Sequence, residues 1–339
     1  MKSAHETSNS RQPEIPSSIE PAQLQFIEQT FLEFLGNEAD ALDTRRWDLL
    51  RWIHHRLFMD GASVATVFAD LNKLRRRTHV VAVTSGKGGV GKTTFSVNLA
   101  IAFAQTGRRV LLFDGDLGMA NLHIFAGVNP PATLLDVVDR RASFECAMCP
   151  GPGGIQMICG ASGIGRMADL SAPVLEALGR ELLRVAADFD VLVIDTGAGI
   201  SPSVTQFLAL AQDTIVLATP NLASTLDAYG VIKLIHENRM ASRMHVLINL
   251  ADDEGQAARV IDRLSGCANR FLHSSLGNLG FLERDLAFEH SNQSRQPLIL
   301  AQPANANAQR ITQIAASLLG ETTSADVTAG EQTAEHAAA

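Results

Sequence analysis

His79–Ala100 reads HVVAVTSGKGGVGKTTFSVNLA, and the rest of the chain takes its meaning from this stretch. Val80 to Val83 form a short apolar run of strand character, and Lys92 opens a segment of helical character. Between them Gly86, Gly91, Lys92 and Thr93 satisfy the spacing G-x-x-x-x-G-K-[ST]. The spacing has a physical reason. Small residues let successive backbone N–H groups curl around phosphate oxygens, and the start of the following helix adds its positive end. The expected nucleotide cradle is therefore Gly86, Lys87, Gly88, Gly89, Val90, Gly91, Lys92, Thr93 and Thr94. Lys92 would reach the β- and γ-phosphates, and the Thr93 hydroxyl would ligate Mg²⁺. Lys87 adds a second positive charge inside the same loop.

Downstream, apolar runs alternate with helical segments. This predicts an α/β, P-loop fold with a mostly parallel twisted sheet flanked by helices. Strands are expected at Arg109–Phe113, Ile155–Cys159, Val191–Ile194, Thr214–Ala218, His245–Ile248 and Leu279–Leu282. Helices are expected at Thr93–Gln105, Thr133–Val138, Pro173–Ala187, Leu222–His236, Glu254–Leu264 and Asn305–Leu319. Ligands of such sheets sit beyond the carboxyl ends of strands. Asp114 and Asp116 follow one predicted strand, and Asp195 follows another, before Gly197 and Gly199. Carboxylates at those positions suit holding the water shell of Mg²⁺ and orienting an attacking water. Asn249, at a further strand end, carries an amide able to bond the edge of a base.

The chain has 339 residues and a net charge of −8. Residues 1–20 are polar, broken by proline and expected to be disordered. Residues 21–77 read as a helical N-terminal extension with helices near 24–36, 44–59 and 62–76. Its first part, 21–43, holds five acids and no lysine or arginine. Residues 44–77 hold eight basic and three acidic side chains, a local +5, together with Trp47 and Trp52. That basic half could serve DNA or a protein partner. The ATPase body is expected over 78–320, and 321–339 reads as a disordered acidic tail. With no apolar leader and no run long enough to span a bilayer, a cytoplasmic protein is expected. Cys146 and Cys149 form a C-x-x-C pair, read as a turn with two thiols. The alternative is half of a metal or cluster site shared across a dimer.

Four separated motifs, SGKGGVGKTT (85–94), LLFDGDLGMANLHIFAG (111–127), VLVIDTGAGIS (191–201) and ATPNLASTLDAYGVIKLI (218–235), resemble the MinD/ParA ATPases with a deviant Walker A loop. The last two most resemble the FlhG/FleN subgroup, which controls the number and placement of polar flagella. So do PGPGGIQMICGASG (150–163) and LGNLGFLERD…SRQPLIL (276–300). The resemblance implies an ATP- and Mg²⁺-dependent ATPase that closes into a homodimer on ATP. In it Lys87 is the signature lysine that reaches the partner's nucleotide, and Lys92 contacts phosphates. Thr93, Asp114 and Asp195 serve the metal, Asp116 positions the hydrolytic water and Asn249 contacts adenine. A flagellar GTPase or a transcription regulator is the implied partner, with recruitment to the inner membrane face or the cell pole. The last predicted helix carries a single arginine before an acidic tail, so membrane recruitment would not run through a basic C-terminal helix. Near the implied adenine pocket, Glu283-Arg284-Asp285 stands where the resemblance leads one to expect Pro-Tyr-Asp. The alternative functions are a ParA-like positioning ATPase that binds DNA through 44–77, and a metal or cluster carrier using Cys146 and Cys149.

Overall fold

The structure, a computed structural model, describes residues 78–240 and 242–320. The helices expected over 24–76, the polar start and the acidic tail lie outside the described residues. In chain order the elements are β1 (His79–Ser85), α1 (Lys92–Gln105), β2 (Val110–Gly115), α2 (Leu122–Ala126), α3 (Leu134–Val138), α4 (Phe144–Ala147), β3 (Met148–Pro150) and β4 (Gln156–Ile158). Then come α5 (Gly165–Ala168), α6 (Ala172–Ala186), β5 (Val191–Ala198), α7 (Pro202–Leu208), β6 (Asp213–Ala218), α8 (Leu222–Glu237) and β7 (Arg243–Ala251). The chain closes through α9 (Glu254–Cys267), β8 (Gly277–Glu283), α10 (Leu286–Ser294), α11 (Leu298–Ala301) and α12 (Ala306–Leu318).

The eight strands form one sheet in the order β3-β4-β2-β5-β1-β6-β7-β8. Every neighbouring pair is parallel except β3 and β4. The strand that enters the phosphate loop is therefore central, between β5 and β6. Strands buried on both faces must be apolar throughout rather than alternating. Accordingly β2, β6 and all but the last residue of β5 are buried.

Each face of the sheet carries its own apolar layer. On one face Phe95, Leu99 and Phe103 of α1 pack with Ile311, Ile314 and Leu318 of α12. On the other lie Leu178 and Leu182 of α6, Phe207 of α7, and Val231 and Ile235 of α8. Phe113 and Phe207 meet edge to face at 5.1 Å. α1 is buried on nearly every side, from Phe95 to Phe103 without a break. A helix apolar all round belongs in the interior, and this rigid position fixes the start of the helix against the sheet.

The strands and helices predicted within the described residues all form, with ends shifted by a few residues. The largest extensions are β5, which continues through Asp195 to Ala198, and β7, which begins at Arg243 and ends at Ala251. One reading is corrected. Cys146 and Cys149 do not share a turn: Cys146 is exposed in α4, and Cys149 is buried in β3 at the sheet's edge. β3, the single antiparallel strand among the described residues, was illegible because it has three residues and ends in proline.

Candidate nucleotide site

The loop is shaped by positive-φ glycines and by side chains from distant strands. Gly89 (φ 77) and Gly91 (φ 93) lie in the left-handed region that favours glycine. A Cβ on Gly91 would sit 2.3 Å from Asn249 Nδ2, and one on Gly86 would overlap the backbone of Asp227. Gly88 and Gly89 face open space, which leaves their backbone accessible to a ligand. The Ser85 hydroxyl donates to the Lys87 carbonyl at 2.7 Å, bracing the first turn. Asn249 Nδ2 donates to the Val90 carbonyl at 2.8 Å, and its Oδ1 accepts from the Leu250 N–H at 2.9 Å. The buried Asn249 amide thus ties the end of β7 to the loop.

The two lysines differ sharply. Lys92, the first residue of α1, is 8% exposed. Its burial lowers the ammonium pKa, opposed by the charges of Asp195 and Asp116. Lys87 is exposed on the loop. One lysine is built into the cradle, and the other is free to reach outward.

The three predicted carboxylates converge. Asp114 on β2 lies directly opposite Asp195 on β5 in the parallel register, and each is 1% exposed. Asp195 accepts hydrogen bonds from Ser96 at 2.9 Å and from Thr93. Its pKa is raised to about 6 because burial outweighs those bonds and the nearby Lys92. Asp114 is raised well above the carboxylate range by burial and by the charge of Asp195. It accepts from the N–H groups of Asp116 and Leu122. Asp116 is half-buried, and its Oδ1 accepts from Met119 N–H at 2.9 Å. Gly197 lies beside Asp116: an added Cβ would be in ordinary contact with its Oδ1, at 3.5 Å. Thr94, the last residue of the predicted cradle, turns its hydroxyl away to Asn292 of α10 at 3.3 Å.

This donor set fits a magnesium nucleotide. Mg²⁺ is held by one or two protein oxygens, phosphates and waters rather than by a full protein cage. Thr93, Asp195 and Asp114 supply oxygens beside a buried lysine, and two buried carboxylates with raised pKa are the environment a dication would relieve.

Beside the loop opens a cleft of about 240 Å³. Lys87 to Val90 form one side. Thr219, Pro220, Asn221 and Ser224 come from the end of β6 and the start of α8, Leu250, Asp252 and Gln256 from the end of β7 and α9, and Arg284 from just beyond β8. Of these, sequence reading had placed the loop residues here directly, and Arg284 only through the resemblance of its surroundings to an adenine pocket. Asn249 is not part of the lining. The signal that could have found the others is positional: each group follows a buried parallel strand.

The model of the CobQ/CobB/MinD/ParA nucleotide binding domain matches residues 81–329. The chain belongs to that family. Within the MinD/ParA group it is 38% identical over 224 residues to the antiactivator FleN of Pseudomonas aeruginosa, spanning 66% of this chain and 80% of FleN. It is 30% identical to the flagellum site-determining protein YlxH of Helicobacter pylori, over 72% of this chain and 83% of that one. The fold is that of the cell division ATPase MinD of Pyrococcus furiosus, with a TM-score of 0.62 and 22% identity over 72% of this chain and 99% of that chain. Another MinD, from Pyrococcus horikoshii, was solved with Mg-ADP and gives the same TM-score.

Proposed function

We propose that this MinD/ParA-family chain is an ATP-dependent, dimerising switch ATPase that regulates the number or placement of flagella. The observation that carries the reading is the pairing of a buried Lys92 with an exposed Lys87 in one loop, beside Asp114, Asp116 and Asp195. The flagellar role rests on the similarity to FleN and YlxH.

In this reading the N–H groups of Gly86 to Thr94 receive the phosphates at the start of α1, where the helix end is positive. Lys92, desolvated and already flanked by carboxylates, binds the β- and γ-phosphates. Bound Mg²⁺ would supply positive charge at the transferring phosphoryl group and order its waters. Thr93 and Asp195, already hydrogen-bonded together, present oxygens to it, and Asp114 holds its water shell. Asp116 uses one oxygen to fix the Met119 N–H, which leaves the other to orient the attacking water. Lys87, exposed at the mouth, reaches the nucleotide of a second copy, so that ATP closes the dimer and hydrolysis opens it.

The word antiactivator describes FleN. Carried to this chain, it favours a transcription regulator as partner, with a flagellar GTPase as the other candidate. The site of action is the cytoplasm, with recruitment to the pole or the inner membrane face. No described helix is long and apolar enough to cross a membrane. The test is light scattering of the purified chain with ATP and Mg²⁺, beside counts of flagella in cells lacking the gene. An ATP-dependent dimer and altered flagellation are expected. A chain that stays monomeric with ATP, or cells with unchanged flagella, would remove the corresponding half of the reading.

A further inference from the structure

One pair of thiols stands outside the phosphate chemistry. β3, the outermost strand on its side of the sheet, runs antiparallel to β4 with Cys149 opposite Met157. Cys159 follows β4 directly, so it lies diagonally across from Cys149. Both cysteines belong to the apolar layer that also holds Met157, as the alternation of side chains along a strand requires. Cys149 is 4% exposed and Cys159 0%. Neither forms a disulfide. Instead the Cys159 S–H donates to Cys149 Sγ. Two cysteines serving only as small apolar residues have no need to face each other. The contact holds the Cys149 thiol below its ordinary range in spite of burial, and so favours the thiolate that oxidants attack. Cys149 also sits on a three-residue strand that ends at the exposed Pro150. Such an edge opens locally at low cost, which admits a small oxidant.

The pair adjoins the metal carboxylates. In the register of β2 with β4, Phe113 lies opposite Ile158, which puts Asp114 level with Cys159. Gly160 then passes over Asp114: a Cβ on it would lie 3.5 Å from Asp114 Oδ2 and 2.5 Å from the Ala120 Cβ. The Cys159 carbonyl accepts from the Leu134 N–H at 2.9 Å. The backbone that carries Cys159 is therefore closely packed where it meets Asp114. Diagonal positions of an antiparallel pair are normally about 7–8 Å apart, whereas a disulfide holds its Cα atoms about 5.5–6 Å apart. Closing the bond requires the hairpin backbone to move.

We propose that Cys149 and Cys159 form a redox-responsive dithiol, which hydrogen peroxide converts into a disulfide that displaces the backbone beside Asp114 and weakens the Mg²⁺ site. In the first step the Cys149 thiolate attacks one peroxide oxygen and the O–O bond breaks. A sulfenic acid forms, and the departing hydroxide takes up the proton that the thiol gave up. In the second step Cys159 Sγ attacks the sulfenic sulfur, the S–O bond breaks, and the hydroxyl leaves with the Cys159 proton as water. Two thiols lose two electrons and two protons, and one peroxide becomes two waters. The effect on Mg²⁺ rests on the nucleotide-binding reading above; the bond itself does not.

The test uses the full chain carrying Cys146→Ser and Cys267→Ser, reduced and then treated with hydrogen peroxide. A non-reducing peptide map should find Cys149 joined to Cys159. Calorimetry should find MgATP bound about tenfold more weakly, the size expected when support for a metal ligand is lost. Dithiothreitol should reverse both. Adding Cys149→Ala should leave MgATP binding as in the reduced parent and make it indifferent to peroxide, with circular dichroism checking the fold. Oxidation without a Cys149–Cys159 link, a link that leaves MgATP affinity unchanged, or a peroxide effect that persists in Cys149→Ala would each overturn the switch. A reduced chain that does not bind MgATP overturns the nucleotide reading instead, and the peptide map still decides the bond.

Discussion

Gly91 shows how narrowly the loop is specified. Its φ of 93 is left-handed, and the space where a Cβ would go is already held by the Asn249 amide. Gly91→Ala therefore meets both backbone strain and a clash, at an expected cost of about 1–3 kcal/mol. Thermal melting and ATP binding should both worsen. Retention of wild-type affinity would mean that the loop can rebuild itself. Asp116 carries a different expectation. Phosphate and metal contacts remain in Asp116→Ala, but the water loses its orienting group. Turnover should fall by about 10²–10⁴-fold, while the ATP-dependent dimer persists. In Lys87→Ala the dimer itself should weaken, and light scattering of the two variants separates the roles. At this scale much of the placement was legible in advance: Lys92 and Thr93 announce themselves by the glycine spacing, and Asp114, Asp116 and Asp195 by position after apolar runs. Asp252 and Gln256 did not, because nothing in their local spacing says that a strand end and a helix bring them beside the loop. The contacts of the Asn249 amide with the loop were hidden for the same reason, since Val90 lies 159 residues away.

At the scale of elements, the amino-terminal end of the sheet is stapled by one carboxylate. Asp213 begins β6 with a fully buried side chain. It accepts from His79 Nε2 of β1 at 2.6 Å, from His245 Nε2 of β7 at 2.7 Å, and from Arg243 Nε and Nη2 at 2.9 and 2.7 Å. Burial pushes its pKa up, but the bonds from His245, His79 and Arg243 outweigh it and hold the carboxyl far below its ordinary range. A carboxylate with a depressed folded-state pKa stabilises the fold above its unfolded value, about 4, and loses that contribution as pH falls below it. Asp213→Asn should cost about 1–3 kcal/mol at pH 7 by leaving buried donors poorly matched. Arg243 is mostly exposed, which keeps the figure modest. Denaturant melts from pH 7 to 3 should show the wild-type advantage shrinking on the acid side. A constant gap between the two proteins across that range would assign the effect to packing instead. The elements themselves were read from hydrophobic runs and helical periodicity, which is why β1, β2, β5, β6 and β7 were found. The staple was not, because its partners lie 134, 30 and 32 residues from Asp213.

For the whole molecule, the open question is what the basic segment does for the switch. Every residue of the candidate site lies between Ser85 and Arg284. Residues 1–77 hold ten lysines and arginines and eleven acids, so their removal changes the net charge only from −8 to −7. A difference in behaviour after deletion therefore cannot be put down to gross charge. It must come from the local pattern: an acidic stretch at 21–43, then +5 over 44–77 with Trp47 and Trp52 among the arginines. Tryptophan and arginine are the residues that dominate docking surfaces, whereas a merely solvated face needs no tryptophan. Deleting 1–77 is expected to preserve ATP binding and turnover and to abolish capture of the partner or localisation at the pole. If the segment binds DNA instead, the full chain should shift a random duplex with an affinity that falls steeply between low and physiological salt, and the deletion should not. A fluorescent fusion with and without these residues, matched for ATPase activity and solubility, decides between them. Unchanged localisation together with no DNA shift would make the segment a packing element. The positioning information would then have to reside in the ATPase body itself.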